Sequence, residues 1–222
     1  MSIKMNFSAA DEKYNLTRFG SFDSKPEMAF IHEGDLCLGS NVSGIDVVKV
    51  FGVDSPPKGR NLFVVTGDLI VDGLLDLDRA VYSSFGLVVL GRLKAKVVCL
   101  DMTMLFVFGG AEVSSAIIFE SNDGTLSIAG TTVCPLVVIH DGDANLSVKG
   151  EVFNSYDEGP LAEEEDQGEE SNENDSGYPL PKTTMTCAEA AEKLNAELFD
   201  EDGNFDSETA IAWAIEGKPL FR

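Results

Sequence analysis

The sequence predicts a mainly β protein: a right-handed parallel β-helix of about five or six coils, followed by a helical hairpin. Three observations favour this fold. Apolar residues alternate with polar ones in short segments, a glycine follows each segment, and the segments recur at intervals too short to hold a helix. A repeat of about twenty residues cannot close its own core, whereas stacked repeats bury a continuous one.

Five segments carry the glycine pattern, at intervals of 24, 18, 21 and 20 residues: FVVTGDL, LVVLGRL, LFVFGGA, LSIAGTT and LSVKGEV, with glycines at 67, 91, 109, 130 and 150. A more distant sixth copy is FIHEGDL at 30–36. Between the copies lie apolar runs that stop at a polar residue, namely LLDLD, VVCLD, AIIFE and LVVIHD. Each coil is therefore expected to hold two or three short strands joined by tight bends. An antiparallel sandwich with coincidental glycine spacing is the alternative.

The composition divides the chain into three zones. Residues 1–156 carry the repeats and form the expected β-helix domain. Residues 157–182 form an expected acidic flexible linker, because ten of the twenty residues at 157–176 are acidic and none is basic. Such a segment repels itself and buries too little apolar surface to fold. Residues 183–222 return to a helical pattern and form the expected C-terminal helical hairpin.

Two helices are expected in the hairpin. Thr186 and Glu189 form a capping box that opens a helix over 188–199. Asp206 or Ser207 begins a second helix over 208–216, which Gly217 ends. A module of this size is too small to be stable alone. It is expected either to pack back onto the β-helix, over a terminal coil or a side face, or to form part of a partner surface.

The charge excludes several classes of function. The chain has 38 Asp and Glu against 16 Lys and Arg, a net charge of −22, which predicts no nucleic-acid partner and no anionic membrane surface. No apolar run reaches the roughly 18 residues of a membrane span. The N-terminal stretch MSIKMNFSAADEK lacks the apolar core of a secretory signal, so the expected localisation is cytoplasmic.

Neither a metal site nor a catalytic site is predicted. Cys37, Cys99, Cys134 and Cys187 have no metal-binding spacing, so they are interpreted as reduced thiols, with Cys99 and Cys134 inside apolar segments. The sequence also lacks GxSxG, a P-loop, HExxH and a GxGxxG after a strand. No catalytic residue, metal or cofactor is therefore assigned, and the chain is not expected to be an enzyme.

Two resemblances bear on function. The glycine-marked segments over residues 28–153 resemble the coils of bactofilins, a polymer-forming family, and imply a structural or scaffold role. The compact acidic chain, with a short helical tail that closes on GKPLF at 217–221, is similar in style to toxin-immunity proteins. That resemblance implies a binding protein that neutralises a cognate nuclease-type bacterial toxin by stoichiometric binding.

Three functions remain open from the sequence: an immunity protein whose partner is a basic toxin effector domain, a bactofilin-like scaffold that forms homo-oligomers, and an enzyme or small-molecule binder that uses a coil face. For recognition by charge, the expected contacts are the acidic turn, the tryptophan that flanks it and an acidic run in the linker. These are Asp200, Glu201, Asp202, Asp206, Trp213, Glu163, Glu164, Glu165 and Asp166. The alternative for both acidic sets is ordinary solvated acidity.

Overall fold

A computed structural model describes residues 2–19, 26–54, 59, 61–77, 85–120, 124–140, 143–155 and 184–222. The first strands along the chain are β1 (Ser2–Asn6), β2 (Met28–His32), β3 (Leu36–Leu38), β4 (Val42–Ser43), β5 (Asn61–Val65), β6 (Leu69–Val71) and β7 (Leu74–Asp76). They are followed by β8 (Phe85–Val89), β9 (Leu93–Leu100), β10 (Met104–Val107), β11 (Ala111–Phe119), β12 (Thr125–Ile139) and β13 (Asp143–Asn154). The α-helices are α1 (Phe7–Tyr14), α2 (Gly44–Val50), α3 (Cys187–Lys193) and α4 (Ser207–Glu216).

The strands form one thirteen-stranded sheet, and its pairing is almost entirely parallel. Of the twelve pairings between described strands, eleven are parallel and only the β1–β2 pair is antiparallel. The main path of the sheet runs from β1 to β3 and does not close on itself. The expectation of a mainly β protein with parallel stacking is confirmed, and the antiparallel sandwich is excluded.

Three ladders of parallel strands make up the sheet apart from β1, and each ladder stacks inward, mostly apolar residues in register. The first ladder passes through Phe30, Phe63, Leu87, Leu105, Leu126 and Ala144. The second passes through Leu36, Leu69, Leu93, Ala111, Thr132 and Val148. The third passes through Val42, Leu75, Val98, Ile117, Val137 and Val152. Inward side chains of all three ladders meet in one apolar cluster, which is the core.

The recurrent glycines stack at one corner between the first two ladders. The amide of Gly67 donates to the carbonyl of Gly34 at 2.9 Å, Gly91 to Gly67 at 3.0 Å, and Gly109 to Gly91 at 2.8 Å. A Cβ at Gly130 would lie within 3 Å of the Gly110 backbone. These positions require glycine because successive repeats approach too closely for a side chain. The sixth copy, at 30–36, is also confirmed, because Gly34 is the first glycine of this column and accepts the amide of Gly67.

The predicted fifth copy is misaligned by two residues. The sequence pattern matched Leu146 with Leu126, but the structure pairs Leu146 with Ile128 and places Ala144 opposite Leu126. Gly150 therefore lies against the Cys134 carbonyl instead of in the glycine column. A shift of two residues preserves the alternation of inward and outward side chains. Alternation alone therefore could not distinguish the two alignments.

Helices cover the outer surfaces of two ladders. Helix α1 packs Phe7 and Ala10 on outward residues of the first ladder. On the third ladder, Ala210 and Ala214 of α4, with Leu194 and Leu198, cover outward residues of β9, β11 and β12. The C-terminal module thus packs back onto a side face of the sheet, which is one of the placements that the sequence left open.

The first C-terminal helix is shorter than predicted. The Thr186–Glu189 capping box is present, but α3 ends at Lys193, and a 3₁₀ turn follows at Ala196–Leu198. Leu194 is extended and forms an antiparallel bridge with Phe221, while the amide of Asn195 donates to Leu220. The returning chain end thus interrupts the helix. Helix α4 begins after Asp206 and ends at Gly217, as predicted.

The predicted acidic linker, 157–182, lies outside the described residues. Within the described part of the chain, no helix combines the length and apolar character needed to cross a membrane.

Candidate functional site

A column of polar side chains follows the strands of the third ladder. Glu120, His140 and Ser155 each come directly after a strand, and each donates its amide to the repeat before it: Glu120 to Leu100, His140 to Phe119, and Ser155 to Ile139. The His140 Nδ1 lies 2.8 Å from the Ser155 Oγ. Parallel stacking therefore brings an acid, an imidazole and a hydroxyl from three successive repeats to one edge of the sheet.

The acidic turn before α4 is built around Asp200. One carboxylate oxygen of Asp200 accepts the amides of Asp202 at 2.9 Å and Asn204 at 2.8 Å, and the other accepts the Asn204 side-chain amide at 3.1 Å. The Asn204 amide, first among these donors, holds the pKa of Asp200 below its usual value. The charge on Asp200 therefore helps to fix the turn.

Asp206 is the N-cap of α4. Its carboxylate accepts the Thr209 amide at 2.9 Å and the Thr209 hydroxyl at 2.7 Å. The amide contact lowers the pKa of Asp206, while the negative charge of Asp200 opposes that shift. Both acids are therefore ionised near neutral pH and close enough to interact.

The turn and the polar column face each other across a groove of 580 Å³, which we call the acidic groove. It is lined by Glu120, His140, Asp200, Phe205, Asp206, Ser207 and Glu208. Phe205 is held in place by edge-to-face contacts with Phe153, at 5.7 Å between ring centroids, and with Phe199, at 5.9 Å. The groove thus combines four carboxylates, one imidazole and an immobilised aromatic ring.

The predicted contact residues divide into three groups. Asp200 and Asp206 line the acidic groove. Glu201 and Asp202 are exposed on the turn but do not line it. Trp213 does not line it either, and it follows Asp206 by seven positions, about 10 Å along α4. The centroid of its ring is 5.3 Å from the Lys218 Nζ. The run Glu163, Glu164, Glu165 and Asp166 lies outside the described residues.

Sequence reasoning missed Glu120, His140 and Glu208 as groove residues. The signal for the first two was present, because AIIFE and LVVIH were recognised as apolar runs with a polar stop. The register pairs Phe119 with Ile139, so their polar neighbours fall in the same column. What the sequence did not supply was the placement of α4 beside that column.

The chemistry of the acidic groove suits a cationic side chain. Carboxylates accept hydrogen bonds from ammonium and guanidinium groups, and a guanidinium also stacks on an aromatic ring such as Phe205. Within the described ranges, no group of three or more His, Cys, Asp or Glu residues is arranged to hold a metal ion.

The described cysteines are free thiols. Cys99 and Cys134 are buried, as expected, and burial raises the pKa of Cys134 to about 12, so this thiol is unreactive. Cys37 is exposed.

No protein-family model, no curated protein and no solved structure matches this chain. The likenesses to bactofilins and to immunity proteins therefore rest on the sequence pattern alone.

Proposed function

We propose that the chain is an acidic binding protein, an immunity protein that neutralises a nuclease-type toxin by forming a stoichiometric complex in the cytoplasm. The observation that carries this proposal is the acidic groove, in which Glu120 at the end of β11 meets Asp200, Asp206 and Glu208 from the turn and the start of α4. A nuclease domain presents cationic side chains to DNA phosphates. A groove of carboxylates offers the same cations an alternative partner.

The scaffold beneath the groove supports this role. We propose a right-handed parallel β-helix of six coils, on the ground that three parallel ladders advance through the chain in the same order. Parallel crossover connections are right-handed in nearly all proteins. Such a scaffold fixes Glu120 and His140 on stacked coils, so little conformational entropy is lost at the groove when a partner binds.

Net charge supports fast recognition. A charge of −22 attracts a basic domain from beyond contact distance, and this attraction weakens as salt shortens the Debye length. The same charge repels nucleic acid, so the partner is a basic protein. Binding through the groove carboxylates makes and breaks no covalent bond. The protein therefore inhibits its partner by occupying it and not by catalysis.

A bactofilin-like filament has less support. Head-to-tail stacking needs a free parallel edge at both ends of the molecule. At one end, β1 covers β2 in antiparallel register, and α2 packs Val47 and Val48 against the core. These elements occupy the surface that a second copy would have to use.

The test uses a panel of purified basic nuclease domains of bacterial toxins. We expect one domain to lose its DNA cleavage activity at a 1:1 ratio with this protein, and the association rate to fall steeply between about 50 and about 500 mM salt. The variant Glu120→Gln/Glu208→Gln should slow association.

The matched control, Glu12→Gln/Asp54→Asn, removes the same number of exposed carboxylates elsewhere. Inhibition that is insensitive to salt, or slowed equally by both variants, would contradict recognition through the groove. If no domain in the panel is inhibited, the proposed immunity function is wrong.

A further inference from the structure

His140 is the one basic side chain among the described residues that line the acidic groove. Its Nδ1 lies 2.8 Å from the Ser155 Oγ, so its ring contacts the repeat that follows. The chain has two histidines, and the Nε2 of the other, His32, lies 3.1 Å from the Asp35 carbonyl oxygen. Histidine is the side chain whose charge ordinarily changes between about pH 5 and about pH 8. His140 is therefore the lining residue that changes the charge of the groove near neutral pH.

Four acids share the groove with this imidazole. They are Glu120 after β11, Asp200 in the turn, and Asp206 and Glu208 at the start of α4. The remaining lining residues, Phe205 and Ser207, carry no charge. The undescribed stretches that follow Glu120, His140 and Ser155 in the sequence, at 121–123, 141–142 and 156–158, include four acids and no base. Their charge therefore has the same sign as that of the groove.

The groove acids keep their charge over the pH range in which histidine titrates. The backbone amide of Asn204 holds the pKa of Asp200 below its ordinary value, and the Thr209 amide does the same for Asp206. Glutamate side chains ordinarily have a pKa of about 4.3. A fall from about pH 8 to about pH 5.5 therefore changes the groove mainly by adding one positive charge, on the imidazole.

We propose that His140 is a pH sensor that weakens the binding of a cation in the acidic groove as the solution becomes acidic. The imidazolium competes with an incoming guanidinium or ammonium group for the same carboxylates, and the two positive charges repel each other. Affinity is therefore highest when the imidazole is neutral and falls as it gains a proton. The inference rests on the proposed function only in treating the groove as the place where a cationic side chain of the partner binds.

The test uses N-acetylarginine amide, a ligand whose single positive charge does not titrate in this pH range. It is titrated against the full chain at constant ionic strength. Its affinity is read from the amide chemical shifts of Ser207 and Glu208, which line the groove, so that binding elsewhere on this acidic chain does not contribute. We expect the dissociation constant to rise about fivefold between about pH 8 and about pH 5.5.

Two variants of His140 hold the site in one charge state each. His140→Asn keeps a polar atom near the position of Nδ1 but does not titrate, so it should bind with the higher affinity at both pH values. His140→Lys keeps its positive charge throughout, so it should bind with the lower affinity at both. The matched control, His32→Gln, removes the other imidazole of the chain and should respond to pH as the wild type does.

A wild-type affinity that does not change with pH, an equal fall in His140→Asn, or a constant affinity in His32→Gln would each overturn the proposal. Absence of binding at both pH values would overturn it as well. The nuclease assay tests the proposed function separately, because a toxin domain can be inhibited by a groove that does not respond to pH, and the arginine ligand can reveal the sensor when no toxin domain is inhibited. Circular dichroism of each variant at both pH values establishes that the fold is intact.

Discussion

Asp35 and Asp68 occupy the same position in successive repeats, and the side chain of each accepts a backbone amide of the repeat that follows it. The Oδ1 of Asp35 accepts the amide of Asp68 at 2.8 Å, and the Oδ1 of Asp68 accepts the amide of Arg92 at 2.8 Å. The repeated GDL of the sequence thus has a structural cause: its glycine permits close stacking, and its aspartate bonds to the next repeat.

Removing the Asp68 carboxylate, which accepts the Arg92 amide, should lower the stability of the stacked repeats. We expect Asp68→Ala to lower the free energy of unfolding by about 1–2 kcal/mol, because the Arg92 amide loses its partner. Asp68→Asn keeps an acceptor oxygen and should cost less. Urea denaturation followed by circular dichroism measures both variants, and equal losses would show that the hydrogen bond is not the cause.

The glycine column should not tolerate alanine. A Cβ at Gly91 would lie 2.6 Å from the Gly67 carbonyl oxygen, and the backbone there cannot yield without separating two repeats. We expect Gly91→Ala to destabilise the fold by more than about 3 kcal/mol. Gly39→Ala is the control, since no atom lies within 4 Å of the added Cβ; a comparable loss in that variant would contradict the stacking argument. Thermal unfolding distinguishes the two.

Two buried threonines should respond in opposite directions to replacement by valine. Thr132 is fully buried in the second ladder, and among the described residues its Oγ1 has no hydrogen-bond partner. The Oγ1 of Thr103 donates to the Leu77 carbonyl at 3.0 Å. We expect Thr132→Val to stabilise the protein by about 1 kcal/mol and Thr103→Val to destabilise it by about 1–2 kcal/mol. Chemical denaturation measures both, and the same sign for both variants would contradict this prediction.

The stability of α4 should depend on pH through Asp206. Folding lowers the pKa of this carboxyl from its ordinary value of 3.8, chiefly because the Thr209 amide donates to the ionised form. Because the pKa is lower in the folded state, the ionised carboxyl stabilises that state at pH values above 3.8. This contribution is lost as the pH falls from 3.8 towards the pKa of the folded state. An asparagine at this position would cap the helix without titrating.

We therefore expect the wild type to be more stable than Asp206→Asn at pH 7, with a difference that shrinks below about pH 4. Urea denaturation at a series of pH values measures the difference between the two proteins. A difference that stays constant down to about pH 2 would contradict the assigned role of the carboxylate. Glu12→Gln controls for the loss of one exposed negative charge.

Local sequence rules determined much of this molecule. The glycines at 67, 91 and 109 indicated stacked repeats because close approach of two backbones leaves no room for a side chain. Thr186 with Glu189, and Asp206 with Gly217, marked helix ends because capping depends on residues at or next to the ends themselves. The composition predicted an acidic surface, since charge is a sum over residues.

Tertiary structure decided the features that depend on contacts between residues far apart in the sequence. Leu194 leaves the helix because Phe221 returns beside it, and the pairing of Leu146 with Ile128 escaped prediction because a shift of two residues preserves alternation. The acidic groove exists only because α4 packs on the third ladder and brings Asp206 beside the polar column. Burial of the apolar side of α4 drives that packing, and the identity of the face it covers is a property of the whole folded chain and not of any local segment.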